Sequence, residues 1–327
     1  LAKMEHLSSL GDISLKPTLI TYSSVLNCYA KSQLPDKASR AEKLLLRMEE
    51  RYNSGIDLSV KPDTIAYSTV LFCWANSQDE NAPINAERLL HRMEHLAGKD
   101  TNIRPNEKCY SAVISAWAKS HFLDAAQNAE NVLHRMEYMF ESGICDSLPN
   151  TICCNAVLNC YAKSQLLDKA QRALYLVQRM NEQHQSGIQE VKADIISYNC
   201  LFNACATSTE DSDQRKRALD IVLTTFKTLY QTKAFTLTSH TYASLLKAFG
   251  NLTEMSEERI TLMKTVFRLC CDEGQVDRPV LKELQRTLPA ELCNQLVRGY
   301  VTNGKPDVEA IPFGWRRNIM NSIAPIE

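Results

Sequence analysis

The chain has 327 residues, 44% of them hydrophobic, with 37 Lys and Arg against 38 Asp and Glu for a formal net charge of −1. That content supports a sizeable core, no run approaches the roughly 18 apolar residues of a membrane span, and the balanced charge argues against a strongly basic nucleic-acid binder. Its twelve cysteines form no CxxC and no Cys/His zinc spacing, which points to a reducing compartment and no structural metal.

In chain order, residues 3–17 (KMEHLSSLGDISLKP) read as the second half of a repeat. The array is therefore expected to start upstream of Leu1, together with any targeting segment. The phrase YSSVLNCYAK follows at 22–31, then YSTVLFCWAN at 67–76, YSAVISAWAK at 110–119 and CNAVLNCYAK at 154–163. Weaker copies stand at 198–207 (YNCLFNACAT) and 242–251 (YASLLKAFGN). A second phrase tracks the first, as Arg47-Met48-Glu49, Arg92-Met93-Glu94, Arg135-Met136-Glu137 and Arg179-Met180-Asn181. A fixed period of this size marks stacked supersecondary units.

Within one unit, Leu19 to Asp63, position one is Leu19. Tyr22, Val25, Leu26 and Tyr29 fall on one narrow helical stripe, the buried face of a first helix, A. Ala41, Leu44, Leu45 and Met48 form the equivalent stripe of a second helix, B. Pro35 and Pro83 lie near the start of helix B, and Gly55, Gly98, Gly143 and Gly187 suit its C-terminal stop. Cys28, Cys73 and Cys160 share position ten with alanines, so small buried side chains are expected there. Asp and Glu cluster on helix B and in loops, where solvated faces are the default expectation. The fold class is thus all-α, a helix-turn-helix repeat solenoid closed by a C-terminal helical cap. The units are 1–18 (the end of a preceding repeat), 19–63, 64–106, 107–150, 151–194, 195–238, a degenerate 239–279, and a cap and tail at 280–327. In the tail, Trp315 is expected to pack onto the last repeat.

The opposite stripe of helix A, at positions two, five, nine and thirteen, differs. It carries Ile20, Ser23, Asn27 and Lys31 in the first unit and Ile152, Asn155, Asn159 and Lys163 in the fourth. The residue before each helix A is Thr18, Asp63, Asn106, Asn150, Asp194 or Thr238. These are favoured N-caps, and capping alone stands beside a recognition role.

The phrase Y-[SN]-x-[VL]-[LIF]-x-[AC]-[YWF]-A-K, a helix ending in Met, and junctions such as Lys61-Pro62-Asp63 and Arg104-Pro105-Asn106 resemble the pentatricopeptide repeat family over residues 1 to about 275. The resemblance implies an organellar protein that binds single-stranded RNA at about one base per repeat, mitochondrial rather than plastid. Position five and the last residue would read the base: Ser23 with Asp63, Ser68 with Asn106, Ser111 with Asn150, Asn155 with Asp194, and Asn199 with Thr238. Ile20, Ile65, Ile152 and Ile196 would pack on base faces, and Lys31, Lys119 and Lys163 would approach phosphates. The implied target is 5′-GAAU(C/U)-3′, read with the N-terminus toward the RNA 5′ end. Lys108 and His240 stand where the family has an aliphatic residue. The units, 43 to 45 residues by their boundaries, exceed the family's usual length by about one turn between Tyr22 and Met48. Neither a deaminase-type H-x-E motif nor a nuclease-like acidic cluster occurs, so no enzyme, cofactor, metal, membrane or small-molecule substrate is expected. The alternative is a structural subunit of a large ribonucleoprotein such as an organellar ribosome; a protein-binding scaffold is the third reading.

Overall fold

A computed structural model describes residues 1–10, 14, 16–99, 102–302 and 305–319. The chain is all-α apart from a two-residue antiparallel ladder between β1 (Val301–Thr302) and β2 (Lys305–Pro306). It divides into two compact units, Leu1–Cys160 and Tyr161–Glu327.

In the first unit, α1 (Ala2–Ser9) precedes three complete A–B pairs. These are α2 (Leu19–Lys31) with α3 (Lys37–Asn53), α4 (Thr64–Ala75) with α5 (Ala82–Ala97), and α6 (Glu107–Lys119) with α7 (Ala125–Glu141). The division falls inside α8 (Thr151–Lys163). The second unit continues with α9 (Lys169–Gln185), α10 (Ile195–Ala206), α11 (Ser212–Thr232), α12 (Ser239–Leu252) and α13 (Glu257–Asp272). It ends with α14 (Arg278–Thr287), α15 (Ala290–Leu296) and the short α16 (Phe313–Arg316).

α4 packs against its own helix B, α5, the preceding helix B, α3, and the neighbouring helices A, α2 and α6; α12 likewise touches α13, α11 and α10. The core is the stripe foreseen from periodicity: Tyr22, Leu26, Tyr67, Val70, Leu71, Tyr110, Val113 and Ile114 are buried, as are Ala41, Leu45 and Met48 of α3. The turns after α3, α7 and α9 use Gly55, Gly143 and Gly187 at positive φ, where a Cβ is disfavoured. Gly98 instead has φ −65°, in the right-handed region.

Two expectations are corrected. Cys28 is exposed, whereas Cys73 and Cys160 are buried. Position ten packs on the preceding helix A, as the Cys160 Sγ contact with the Ile114 carbonyl shows, and α2 has no described helix A before it. The carboxylates of helix B are not all solvated: Glu5, Glu42, Glu49 and Glu94 are buried. Each receives an aromatic donor from the following helix A and an arginine from the following helix B. Tyr22 Oη donates to Glu5 at 2.5 Å and Arg47 pairs with it at 2.7 Å. Tyr67 and Arg92 do the same at Glu49. Tyr110 lies 2.9 Å and Arg135 3.1 Å from Glu94. A parallel tier joins Trp74 and Arg88 to Glu42 at 2.9 and 2.7 Å, and Trp117 and Arg135 to the half-buried Glu87, both at 2.8 Å.

The basic residue of the junction also has a structural partner. Lys16 pairs with buried Asp57 at 3.0 Å, and Arg104 with Asp146 at 2.7 Å, so each ties its linker to the next one along.

At the C-terminal end α14 packs on α12 as a further helix A. Asp277 caps it through the Val280 N–H at 3.0 Å. Thr287 lies so close to Gly250 that a Cβ there would meet its Cγ2 at 2.1 Å. The tail folds back onto α13 through a perpendicular Trp315–Phe267 contact at 5.9 Å, with Val276 N–H donating to the Trp315 carbonyl at 2.8 Å.

Two outcomes are expected. A thiol reagent applied to the native protein modifies Cys28 at least about tenfold faster than Cys109 or Cys205, whose thiols burial raises to about 12, as peptide mapping of the labelled chain will show. Tyr110→Phe, which leaves a buried carboxylate one donor short, lowers unfolding stability by about 1–3 kcal/mol in urea melts.

Candidate functional site

The second stripe of helix A stays open while the first is buried. Ile20, Ile65, Ile152 and Ile196 at position two are 77%, 62%, 67% and 55% exposed. Isolated exposed apolar residues are ordinary; four at the same repeat position call for an explanation. Beside them in the first unit, a depression of about 550 Å³ is lined by Asn27, Ser68, Phe72, Ser111, Lys119 and Ile152 among others. Positions two, five, nine and thirteen of successive helices A thus share one surface there. Lys108 takes position two in α6 and also lines it, so the third repeat offers a cation where its neighbours offer an aliphatic chain.

Position five carries short polar groups whose hydrogen-bonding state is set by the helix. Ser68 Oγ donates to the Ile65 carbonyl at 3.0 Å and Ser111 Oγ to the Lys108 carbonyl at 3.2 Å. With the hydroxyl proton turned back onto the backbone, the oxygen lone pairs face outward as acceptors. Ser23 is half-buried at the same position. In the second unit, Asn199 Oδ1 is buried with no hydrogen-bond partner among the described residues, an acceptor whose desolvation is uncompensated.

The residues before helix A are N-caps in every described case. Asp63 Oδ1 accepts from Ala66 N–H at 2.8 Å, Asn150 Oδ1 from Cys153 N–H at 3.1 Å and Asp194 Oδ1 from Ser197 N–H at 2.9 Å. Asn106 Oδ1 accepts from Lys108 and Cys109 N–H at 3.2 and 3.3 Å, and Thr238 Oγ1 from Thr241 N–H at 3.4 Å. Capping does not exhaust these side chains. At Asp63, Asn106 and Asn150 it uses Oδ1, which leaves Oδ2 or Nδ2 for a ligand. Of the five sequence-derived pairs, Asn155 and Asp194 fall in different units.

Position thirteen does something that the sequence did not reveal. Lys119 Nζ donates to the Ala75 carbonyl and to Asn76 Oδ1, both at 2.8 Å. Asn251 Nδ2 donates to the Ala206 carbonyl at 2.8 Å. Thr207 Oγ1 lies 3.1 Å from the Ala162 carbonyl and as near to the Ala204 and Asn203 carbonyls of its own helix, at 3.1 and 3.2 Å, and Asn76 Nδ2 donates within its own helix, to the Phe72 carbonyl at 3.1 Å. Lys119 and Asn251 thus donate to the same acceptor, the position-twelve carbonyl of the preceding helix A, and Thr207 lies within reach of it. The interchange of Lys, Thr and Asn at this position was the available signal, because all three donate. Lys31, exposed at the end of α2, has no described preceding helix A to reach; Lys163 is exposed at the end of α8.

No group of His, Cys, Asp and Glu that could hold a metal exists among the described residues, and no described helix is long and apolar enough to cross a membrane. If position thirteen is a tie between neighbours, Lys119→Met lowers stability by about 0.5–1.5 kcal/mol in urea melts, whereas a lysine held only by solvent gives no change.

The PPR repeat family profile matches residues 20–52 and 152–181, which are α2 with most of α3 and α8 with most of α9. No curated protein sequence matches the chain. Among solved structures the fold is similar to the crystal structure of the pentatricopeptide repeat protein PPR10 from maize, with a TM-score of 0.51 at 17% identity. The match covers 98% of this chain and 42% of that one, so the chain spans less than half the length of PPR10. Residues 20–52 and 152–181 thus carry the PPR repeat motif, and the helical solenoid fold of the chain is similar to that of PPR10.

Proposed function

We propose that the chain binds single-stranded RNA in an organelle, mitochondrial rather than plastid, and acts without enzymatic chemistry in transcript processing, stability or translation, reading about one base per repeat. The observation that carries this reading is the open aliphatic residue at position two of four helices A, with polar position-five groups on the same stripe. An aliphatic contact on a base face is sequence-tolerant, as stacking platforms are. Discrimination falls to the edge groups. An Asp carboxylate accepts the imino N–H of guanine or uracil, whereas an Asn amide donates to the bare ring nitrogen of adenine. A short Ser at position five leaves room for a purine, and the longer Asn suits a pyrimidine. The pairs Ser23/Asp63, Ser68/Asn106, Ser111/Asn150, Asn155/Asp194 and Asn199/Thr238 then specify 5′-GAAU(C/U)-3′.

The second reading, a structural subunit of a ribonucleoprotein, is favoured by the internal bonding of Lys119, which leaves less charge for phosphates. Titration of the protein with RNAs containing GAAU and with scrambled controls, across a salt series, separates the two. Preference for GAAU, moved from U toward G at the fourth base by Asn155→Ser, is the expected result. Binding indifferent to sequence would falsify base reading and leave the structural role.

A further inference from the structure

On the second unit's share of the open stripe, positive charge gathers without acidic partners. A depression of about 630 Å³ is lined by α10, α12 and α14, with Lys247, Arg278, Lys282, His240, Ser244 and Asn203 on its walls. The acids closest to these cations are engaged elsewhere. Glu283, also on the wall, pairs with Arg286 at 2.8 Å, and Asp277 Oδ1 caps α14. Lys247, Arg278 and Lys282 form no ion pair among the described residues. In the first unit, by contrast, Arg47, Arg88, Arg92 and Arg135 are each bound to a helix B carboxylate.

The arrangement follows from α14 standing in a helix A slot. Counted from its cap Asp277, Thr287 is position ten and lies against Gly250, and Arg286 donates to Asn251 Oδ1 at 2.9 Å. Lys282 is therefore position five, where earlier repeats carry Ser or Asn. One repeat before it, position five is Ala243, which has no polar group to offer. Beyond repeat 5 the open stripe changes from hydrogen-bonding side chains to point charges with hydroxyl and amide donors between them. Such a set selects neither purine nor pyrimidine; it attracts an anion.

We infer that this depression is a phosphate-binding site, which takes a phosphate of the single strand on the 3′ side of the last base read. It rests on the RNA-binding reading above. Lys247 approaches from α12, Arg278 and Lys282 approach from α14, and Ser244 and Asn203 contribute neutral hydrogen bonds. An internal phosphodiester and a terminal 3′-phosphate present the same chemistry to these groups.

The test compares Lys247→Gln/Lys282→Gln with Lys227→Gln/Lys264→Gln, a control of equal charge loss at exposed sites on α11 and α13. Thermal melts establish that both variants stay folded. Affinities are measured for GAAUC RNA alone, with a short 3′ uridine extension, with a 3′-phosphate, and with a 5′ extension. In the wild type and the control, the 3′ additions tighten binding and the 5′ extension does not. The site variant loses that gain. Between about 50 and about 200 mM salt it loses about sevenfold less affinity than the wild type, as expected for two fewer phosphate contacts at a slope of about 0.7 each. A gain from the 3′-phosphate alone marks a terminal phosphate as the ligand, and a gain from the extension marks a phosphodiester. A site variant that keeps the 3′ gain and the wild-type slope overturns the site while RNA binding stands. If the wild type binds no RNA, the RNA reading fails and titration with inorganic tripolyphosphate decides the site. Binding at least about tenfold tighter to the wild type than to the variant supports it; equal or absent binding overturns it.

Discussion

In the first unit α1, α3 and α5 each place a buried carboxylate where the next repeat must satisfy it. Glu49 illustrates the constraint. Burial raises its carboxyl above the usual range, while Tyr67 and Arg92, both from the following repeat, favour its charged form. Tyr67 is in turn pushed well above the usual phenol range, by burial and by the Glu49 charge. A carboxylate taken out of water is costly unless donors surround it, and here those donors belong to a neighbour. The free energy of one repeat is therefore coupled to its successor, as nearest-neighbour solenoid energetics require. Glu5 in α1 takes the same place for Tyr22 and Arg47, so α1 acts as a helix B toward α2.

How much was legible in the sequence depends on whether a side chain meets its own repeat or the next. The buried stripes were readable because helical periodicity is a property of one element, and Tyr67, Leu71 and Met93 obey it. The burial of Glu42, Glu49 and Glu94 was not, because no helical wheel contains the Trp, Tyr and Arg that arrive from the following repeat. Cys28 failed for the complementary reason: its type matched Cys73 and Cys160, but what buries position ten is the preceding helix A. The role of α14 was hidden because Leu281 stands at position four, where most repeats carry Tyr, so the recurring phrase is absent although the packing is retained.

On the candidate site, capping occupies one polar atom of each of Asp63, Asn106 and Asn150 and leaves the other. The same side chain that terminates the backbone of a linker can present its second polar atom outward, and capping holds that atom in a defined direction. Asp63 and Asn106 differ in what they then offer, an acceptor or a donor, at no change in their capping ability. The group left over can thus vary from repeat to repeat without disturbing helix initiation.

The position-thirteen bond has a metrical consequence. Lys119 and Asn251 both close on the position-twelve carbonyl of the helix A before them. The steps from α4 to α6 and from α10 to α12 are thereby gauged at the open stripe, by a contact that does not involve helix B. The helices B run to between 16 and 21 residues, and none of their residues takes part in that contact. At those two steps a longer helix B adds nothing to the bond, so the contact between neighbouring helices A carries no record of repeat length.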